Sequence, residues 1–246
     1  MKGTVERGSL AGREYFVYLP PGYADSDLRY PVVYLNEDLS FLSETLPEVM
    51  TPLEADFRRE GGAFLLAAVE TGGDEYAPWA ADAISAKSEP FLGGADGYLR
   101  FLTEEFKPAL DREYRTLPGP EHSCIAGYSL GGLCALYALY RMDCFGRVAC
   151  LSGSLWFEGF TEFMRSHEPL PEKARCYLSL GRAERKARNA VMATVADRTE
   201  EALVLLREQL GEERVELVWH DGGHFTEVPA RIRGGLQWVM RSWRNR

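Results

Sequence analysis

An α/β fold with a mainly parallel, twisted sheet covered by helices on both faces is the architecture this sequence predicts. Three observations predict it. Short runs rich in β-branched and aromatic residues alternate with stretches of helical period through the second half of the chain. Two such runs near the start have no helical stretch between them, which predicts an antiparallel hairpin at one sheet edge. The 246 residues are 46% hydrophobic and 26% charged, an ordinary globular balance. No composition shift, repeat or low-complexity tract marks a linker, so residues 1–246 read as one domain.

The two runs of the hairpin are residues 13–19 (REYFVYL) and 30–35 (YPVVYL). Further strands are expected at 63–69, 123–126, 148–151, 175–180 and 215–219. Helical periodicity covers 98–114, 130–140, 158–166, 199–210 and 230–241. The longest irregular stretch, 70–97, is rich in Gly, Asp, Tyr, Trp and Pro. It follows a central strand and so belongs to the carboxyl edge of the sheet, where open α/β folds bind ligands.

Charge and composition exclude several classes of function. With 28 basic against 37 acidic residues, the net charge of −9 opposes binding to a phosphate backbone, so no nucleic-acid partner is expected. Residues 1–10 (MKGTVERGSL) carry neither an apolar signal-peptide core nor a small-residue cleavage site, and no long apolar run is present. A cytoplasmic protein with no membrane association is the expectation. The five cysteines, 124, 134, 144, 150 and 176, form no CxxC pair and no evident disulfide framework; they read as small buried hydrophobes.

The most informative segment is residues 123–140, SCIAGYSLGGLCALYALY. An apolar strand runs into Gly127-Tyr128-Ser129-Leu130-Gly131, and a helix follows at once. That is G-x-S-x-G at a sharp strand-to-helix turn, the one context that lifts a serine hydroxyl above a sheet. Gly127, Gly131 and Gly132 leave room for close backbone approach. The helix start offers free N–H groups to a developing oxyanion. Ser129 is the candidate nucleophile; the alternative is a glycine-rich turn without chemistry.

A serine hydroxyl needs a base, and there are four histidines. His122 lies at the wrong end of the strand leading to Ser129, roughly 15 Å away for a strand of about five residues. His167 sits in a polar, proline-flanked segment and reads as exposed. His220 ends the last strand, whereas His224 lies past Gly222-Gly223 in the loop before the final helix, so His224 is the preferred base. The His220/His224 pair spans a glycine turn rather than a helix face, and no H-E-x-x-H is present; no metal site is expected. The orienting acid is expected after the strand at 175–180. Glu184 is the first there, and Ser129, Glu184, His224 is the chain order of α/β-hydrolases. Asp197 is its rival, and a surface ion pair with a neighbouring arginine is the alternative role for Glu184. One oxyanion donor is the N–H of Leu130; the other belongs to the loop Asn36-Glu37-Asp38-Leu39.

With YFVYLPPGY (15–23), YPVVYLNED (30–38), DEYAPW (74–79), GYSLGGLCALY (127–137), LSGSLW (151–156), SLGRAE (179–184) and GGHF (222–225), the chain resembles a branch of the α/β-hydrolase esterases. That branch groups enterochelin esterase, feruloyl and acetylxylan esterases, esterase D and the mycolyltransferases. The resemblance covers nearly the whole chain and implies the α/β-hydrolase fold. In that family the loop after the strand at 30–35 commonly reads Leu-Asp-Gly before the oxyanion residue. Asn36, Glu37 and Asp38 stand here instead, and Asp38, like glycine, tolerates left-handed backbone. The resemblance then points to Leu39 as the second donor. It also implies that Tyr76, Trp79 and Trp156 wall the substrate pocket, unless they pack beneath the long loop.

The expected function is a cofactor-free serine carboxylic ester hydrolase working through an acyl-enzyme on a small-molecule ester of siderophore, acyl-sugar or feruloyl type. Acyl transfer by the same residues is one alternative; a hydrolase-fold binding protein is another, and the intact Ser129, Glu184 and His224 argue against it. Only 22 residues, 152–173, follow the strand at 148–151, too few for a lipase lid. Arg182, Arg185, Lys186 and Arg188 crowd around Glu184, as a solvated face or as positive potential for an anionic ester.

Overall fold

The computed structural model describes residues 1–60, 62–241 and 243. Eight strands build one sheet: β1 (Thr4–Leu10), β2 (Arg13–Leu19), β3 (Val32–Asn36), β4 (Leu65–Val69), β5 (Ser123–Tyr128), β6 (Arg147–Leu151), β7 (Arg175–Gly181) and β8 (Val215–His220). Their order is β1-β2-β4-β3-β5-β6-β7-β8. β2 pairs antiparallel with β1 and β4; every other pairing is parallel.

The expected mixed sheet with an antiparallel N-terminal edge is present, but the hairpin consists of β1 and β2, not of residues 13–19 with 30–35. Leu10 pairs with Arg13, so the turn is Ala11-Gly12, and both have positive φ (51° and 81°). This is the turn geometry whose twist suits a two-residue hairpin. β1 has an exposed and intermediate burial pattern throughout, and its polar sequence TVERGSL gives little strand signal. The run at 30–35 instead becomes the central β3, parallel to both β4 and β5.

The parallel connection from β3 to β4 is made by α1 (Leu39–Glu60), a helix of 22 residues that the sequence pattern did not indicate. Pro47 and Pro52 lie inside it, and proline reads as a breaker in a sequence. The remaining helices are α2 (Ala95–Phe101), α3 (Lys107–Glu113), α4 (Leu130–Arg141), α5 (Phe160–Ser166), α6 (Ala190–Ala193), α7 (Val195–Leu210) and α8 (Val228–Met240). The single helix expected at 98–114 is interrupted by a π-helical turn, Leu102–Phe106, just ahead of Pro108. Pro108 cannot donate to the carbonyl four residues earlier, and the wider turn absorbs that loss.

Alternate strand residues serve opposite faces. Val32, Tyr34, Leu65, Ala67, Ile125, Val148 and Cys150 pack with α2, α4, α5 and α7. Val33, Leu35, Leu66, Ala68, Ala126, Ala149 and Leu151 pack with α1 and α8. A strand buried on both faces has no polar side, so these strands read as unbroken apolar runs. The four cysteines 124, 134, 150 and 176 are buried, and Cys144 is half-buried. Burial raises all five thiols, Cys124 and Cys150 to about 12 and Cys144 to about 11, which keeps them neutral. No helix among the described residues is long and apolar enough to cross a membrane.

The strand order reverses between β3 and β5, and the loops leaving their carboxyl ends open the crevice where sheets of this kind hold ligands.

Candidate active site

Ser129 stands at the end of β5 as the first half-helical residue of α4, with φ 55° and ψ −122°. A non-glycine residue costs about 1–3 kcal/mol in such a conformation and persists only where its surroundings over-determine it. They do. The Ser129 N–H donates to the Leu151 carbonyl (3.0 Å), and its own carbonyl accepts from Leu133 (3.1 Å) and Ser154 (3.0 Å). The turn also needs its glycines. A Cβ on Gly127 would lie 2.3 Å from the Gly131 carbonyl carbon, and one on Gly131 would lie 2.2 Å from the Asn36 carbonyl oxygen.

The hydroxyl so exposed lies 3.0 Å from Nε2 of His224, and Nδ1 of His224 lies 2.8 Å from Oε2 of Glu184. The carboxylate of Glu184 is 6% exposed. Burial alone would raise its pKa, but it is held below the ordinary carboxylate range by hydrogen bonds from His224, the Gly181 N–H (2.8 Å) and the Ser152 hydroxyl (3.0 Å). An ionised carboxylate only accepts, so the proton shared with Glu184 sits on Nδ1 and the Nε2 lone pair faces the Ser129 hydroxyl. The structure therefore joins all three residues picked out in the sequence into one hydrogen-bonded chain.

The rival residues lie elsewhere. Asp197 is exposed in the first turn of α7. His220 closes β8 opposite Gly181, with its Nε2 buried and unpartnered among the described residues, and burial followed by the charge of Arg231 lowers its pKa. His122 neighbours Glu121 at the start of β5. His167 is exposed and stacks on Phe163. Among the described residues, no group of three or more His, Cys, Asp or Glu is placed to share a metal ion.

Leu130 and Leu39 each open a helix, so neither N–H has an acceptor inside its own helix. Asp38 caps α1 by accepting the Phe41 N–H (2.8 Å) and does not adopt positive φ. The tolerance of Asp38 for left-handed backbone is therefore not used: the side-chain cap shapes the turn where the family commonly has glycine. Asn36 fixes this loop beside the nucleophile turn. It donates to the Gly131 carbonyl (3.2 Å) and accepts from the Tyr98 hydroxyl (2.7 Å).

A cavity of about 300 Å³ opens beside Ser129 and His224 on the acid side, between Trp156, Ala187, Met192, Val195 and Phe225. Trp156 lines it as expected; Tyr76 and Trp79 do not. Trp79 is surrounded by Tyr137, Phe157, Phe160 and Phe163 and donates its indole N–H to the Glu158 carbonyl (3.1 Å). Tyr76 packs edge-on against Tyr98. Both follow the alternative role, packing beneath the long loop. Of the four basic residues near Glu184, Arg182 and Arg185 lie over the Trp219 ring and face Asp221 (4.0 Å) and Glu200 (3.6 Å). Only Lys186 of the four lines the cavity, and its ammonium has no hydrogen bond or ion pair among the described residues.

Sequence reasoning missed three neighbours of the site. Ser152, at φ 41°, carries a hydroxyl that donates to Glu184. Glu37 faces His224 electrostatically, its carboxyl pushed up to about 7 mainly by burial. Arg231, in α8, is 1% exposed and bonds Glu184 at 3.0 Å. A signal for Arg231 existed: it lies four residues before Gly235 and seven before Trp238, on the buried stripe of an amphipathic helix. A charge on such a stripe calls for a buried partner.

Solved structures share this fold. An IroE-like serine hydrolase from Shewanella oneidensis superimposes with a TM-score of 0.75 at 21% identity, over 97% of this chain and 79% of that one. The siderophore hydrolase EstB from Aspergillus nidulans gives a TM-score of 0.74 at 20% identity, over 98% and 96%. By sequence, the uncharacterized protein YbbA of Bacillus subtilis (strain 168) is 28% identical over 213 residues, 85% of this chain and 84% of YbbA. The fold is that of the α/β-hydrolases. The family described as "Putative esterase" matches residues 11–230, nearly the whole chain, and this protein belongs to that family of esterases.

Proposed function

We propose that this protein is a serine carboxylic ester hydrolase working through an acyl-enzyme. The observation that carries the reading is the unbroken chain Ser129 Oγ to His224 Nε2 (3.0 Å) and His224 Nδ1 to Glu184 Oε2 (2.8 Å). In this mechanism Ser129 attacks the ester carbonyl while His224 takes the hydroxyl proton. His224 then returns the proton to the leaving alcohol, and water repeats the sequence to release the acid. Glu184 holds the imidazole tautomer and stabilises the imidazolium. The N–H groups of Leu130 and Leu39 receive the oxyanion, and the dipole of α4 adds to their effect. The test is hydrolysis across a panel of soluble esters: acylated sugars, feruloyl esters and siderophore trilactones. Turnover of at least one class is expected; none across the panel would contradict the reading.

Replacing the acid isolates its share. Glu184→Gln is expected to lower kcat by about 10 to 10⁴-fold, because an amide at this position no longer stabilises an imidazolium. The measurement is steady-state turnover on an activated ester. Asp197→Asn is expected to leave turnover near wild type, and the reverse pattern would move the acid to α7.

The cavity suggests what the substrate looks like. Its walls are mainly apolar, and Lys186, exposed and without an ion-pair partner among the described residues, is part of its lining. An ester with an apolar body and an anionic group fits that combination. Relative to a neutral isostere, an anionic ester is expected to show the higher kcat/KM. That advantage is expected to shrink as salt rises from about 0.05 to 0.5 M, because screening shortens the reach of the charge. Equal rates and a flat salt response would favour neutral esters such as acylated sugars.

A further inference from the structure

We propose that Arg231 is a positioning residue for catalysis, locking acid and base into register from behind the site; this rests on reading Ser129, Glu184 and His224 as the catalytic set. A buried guanidinium survives only where its donors are matched, because desolvating an unpaired charge is costly. Arg231, 1% exposed, directs the donors of Nη1 and Nη2 at the elements that carry the site, while its Nε is buried and unpartnered among the described residues. Nη1 donates to Glu184 Oε1 (3.0 Å), the Ser152 hydroxyl (2.9 Å) and the Tyr128 hydroxyl (3.2 Å). Nη2 donates to the carbonyls of Gly223 (2.9 Å) and Asp221 (3.2 Å). One planar fork thus grips the acid, the turn after β6, the residue before the nucleophile and the two carbonyls that shape the His224 loop.

The division of labour on the carboxylate supports this. Oε1 takes Arg231, Ser152 and the Gly181 N–H, while Oε2 is left for His224. Arg231 therefore sets which way the carboxylate faces. The base is held from the same point: the loop 221–223 is tied to Arg231, and the His224 carbonyl accepts from Tyr128 (2.6 Å), itself an Arg231 partner. The guanidinium also draws negative charge away from the imidazole. The charged and titratable groups facing His224 are Glu184 from its turn, Glu37 from the β3 loop, Tyr128 from β5, and Arg231 from α8 behind Glu184.

The experiment compares Arg231→Met and Arg231→Lys with wild type on an activated neutral ester, with thermal unfolding run in parallel. In Arg231→Met, kcat is expected to fall about 10²-fold with KM within about 3-fold, since loss of alignment costs the chemical step rather than binding. Arg231→Lys retains charge without the fork, so kcat is expected to fall only about 10-fold, a partial rescue by the conservative variant. A folded Arg231→Met with kcat within about 3-fold of wild type, or one that loses through KM rather than kcat, overturns the proposal. Should that variant not fold, Arg231→Lys decides alone, and wild-type kcat in it overturns the proposal. Wild-type protein inert toward the activated ester and unlabelled by a fluorophosphonate refutes the catalytic reading itself, a different result from an active wild type with an indifferent Arg231.

Discussion

Ser129→Ala is expected to lower kcat on an activated ester by about 10³-fold or more, equivalent to about 4 kcal/mol of transition-state stabilisation, while the cooperative unfolding transition remains. The size follows from chemistry: without the hydroxyl there is no acyl-enzyme, and only the oxyanion donors and the binding cavity still act. The fold should tolerate the change because Ser129 is secured by its backbone. Its N–H and carbonyl make three hydrogen bonds, to Leu151, Leu133 and Ser154, whereas its hydroxyl meets only His224 and, at 3.4 Å, Ser154. Steady-state kinetics with a thermal melt checks both halves. Turnover above about a tenth of wild type would remove Ser129 from the role.

His224→Ala is expected to match the serine variant within about an order of magnitude, because members of such a set act as a unit. The informative control is His220→Ala, four residues earlier in the sequence. His220 ends β8 opposite Gly181, and the Ser129 hydroxyl is held by His224 instead, so no role for His220 in moving the Ser129 proton is expected. A modest loss of activity is expected there. Severe and equal losses in both variants would show that His220 shapes the site as well.

The three residues that the structure joins by hydrogen bonds were legible in the sequence because each stands at a punctuated junction. Ser129 lies between glycines at a strand-to-helix turn, Glu184 just after a strand, and His224 after two glycines, and their order along the chain is the one the α/β-hydrolase fold uses. The sheet was legible for the same reason, since strands buried on both faces leave unbroken apolar runs. The parts that escaped are those whose local signal opposes their place in the fold. Polar β1 is recruited by the Ala11-Gly12 turn, and α1 keeps its helix through two prolines by burying Leu42, Leu46, Val49 and Leu53. Tyr76 and Trp79 illustrate a different limit. An aromatic residue in a loop near a site serves equally well as wall or as packing, and three-dimensional neighbours decide between them. Arg231 escaped because a lone arginine in a helix reads as surface until its partner, more than forty positions away, is known.

The most direct test of serine ester chemistry is to treat the wild-type protein with a fluorophosphonate and map the adduct by peptide mass spectrometry. A phosphonate is expected on the peptide containing Ser129, with stoichiometric loss of esterase activity, and no labelling is expected in His224→Ala. An active enzyme left unlabelled, or labelled at another residue, would contradict the account.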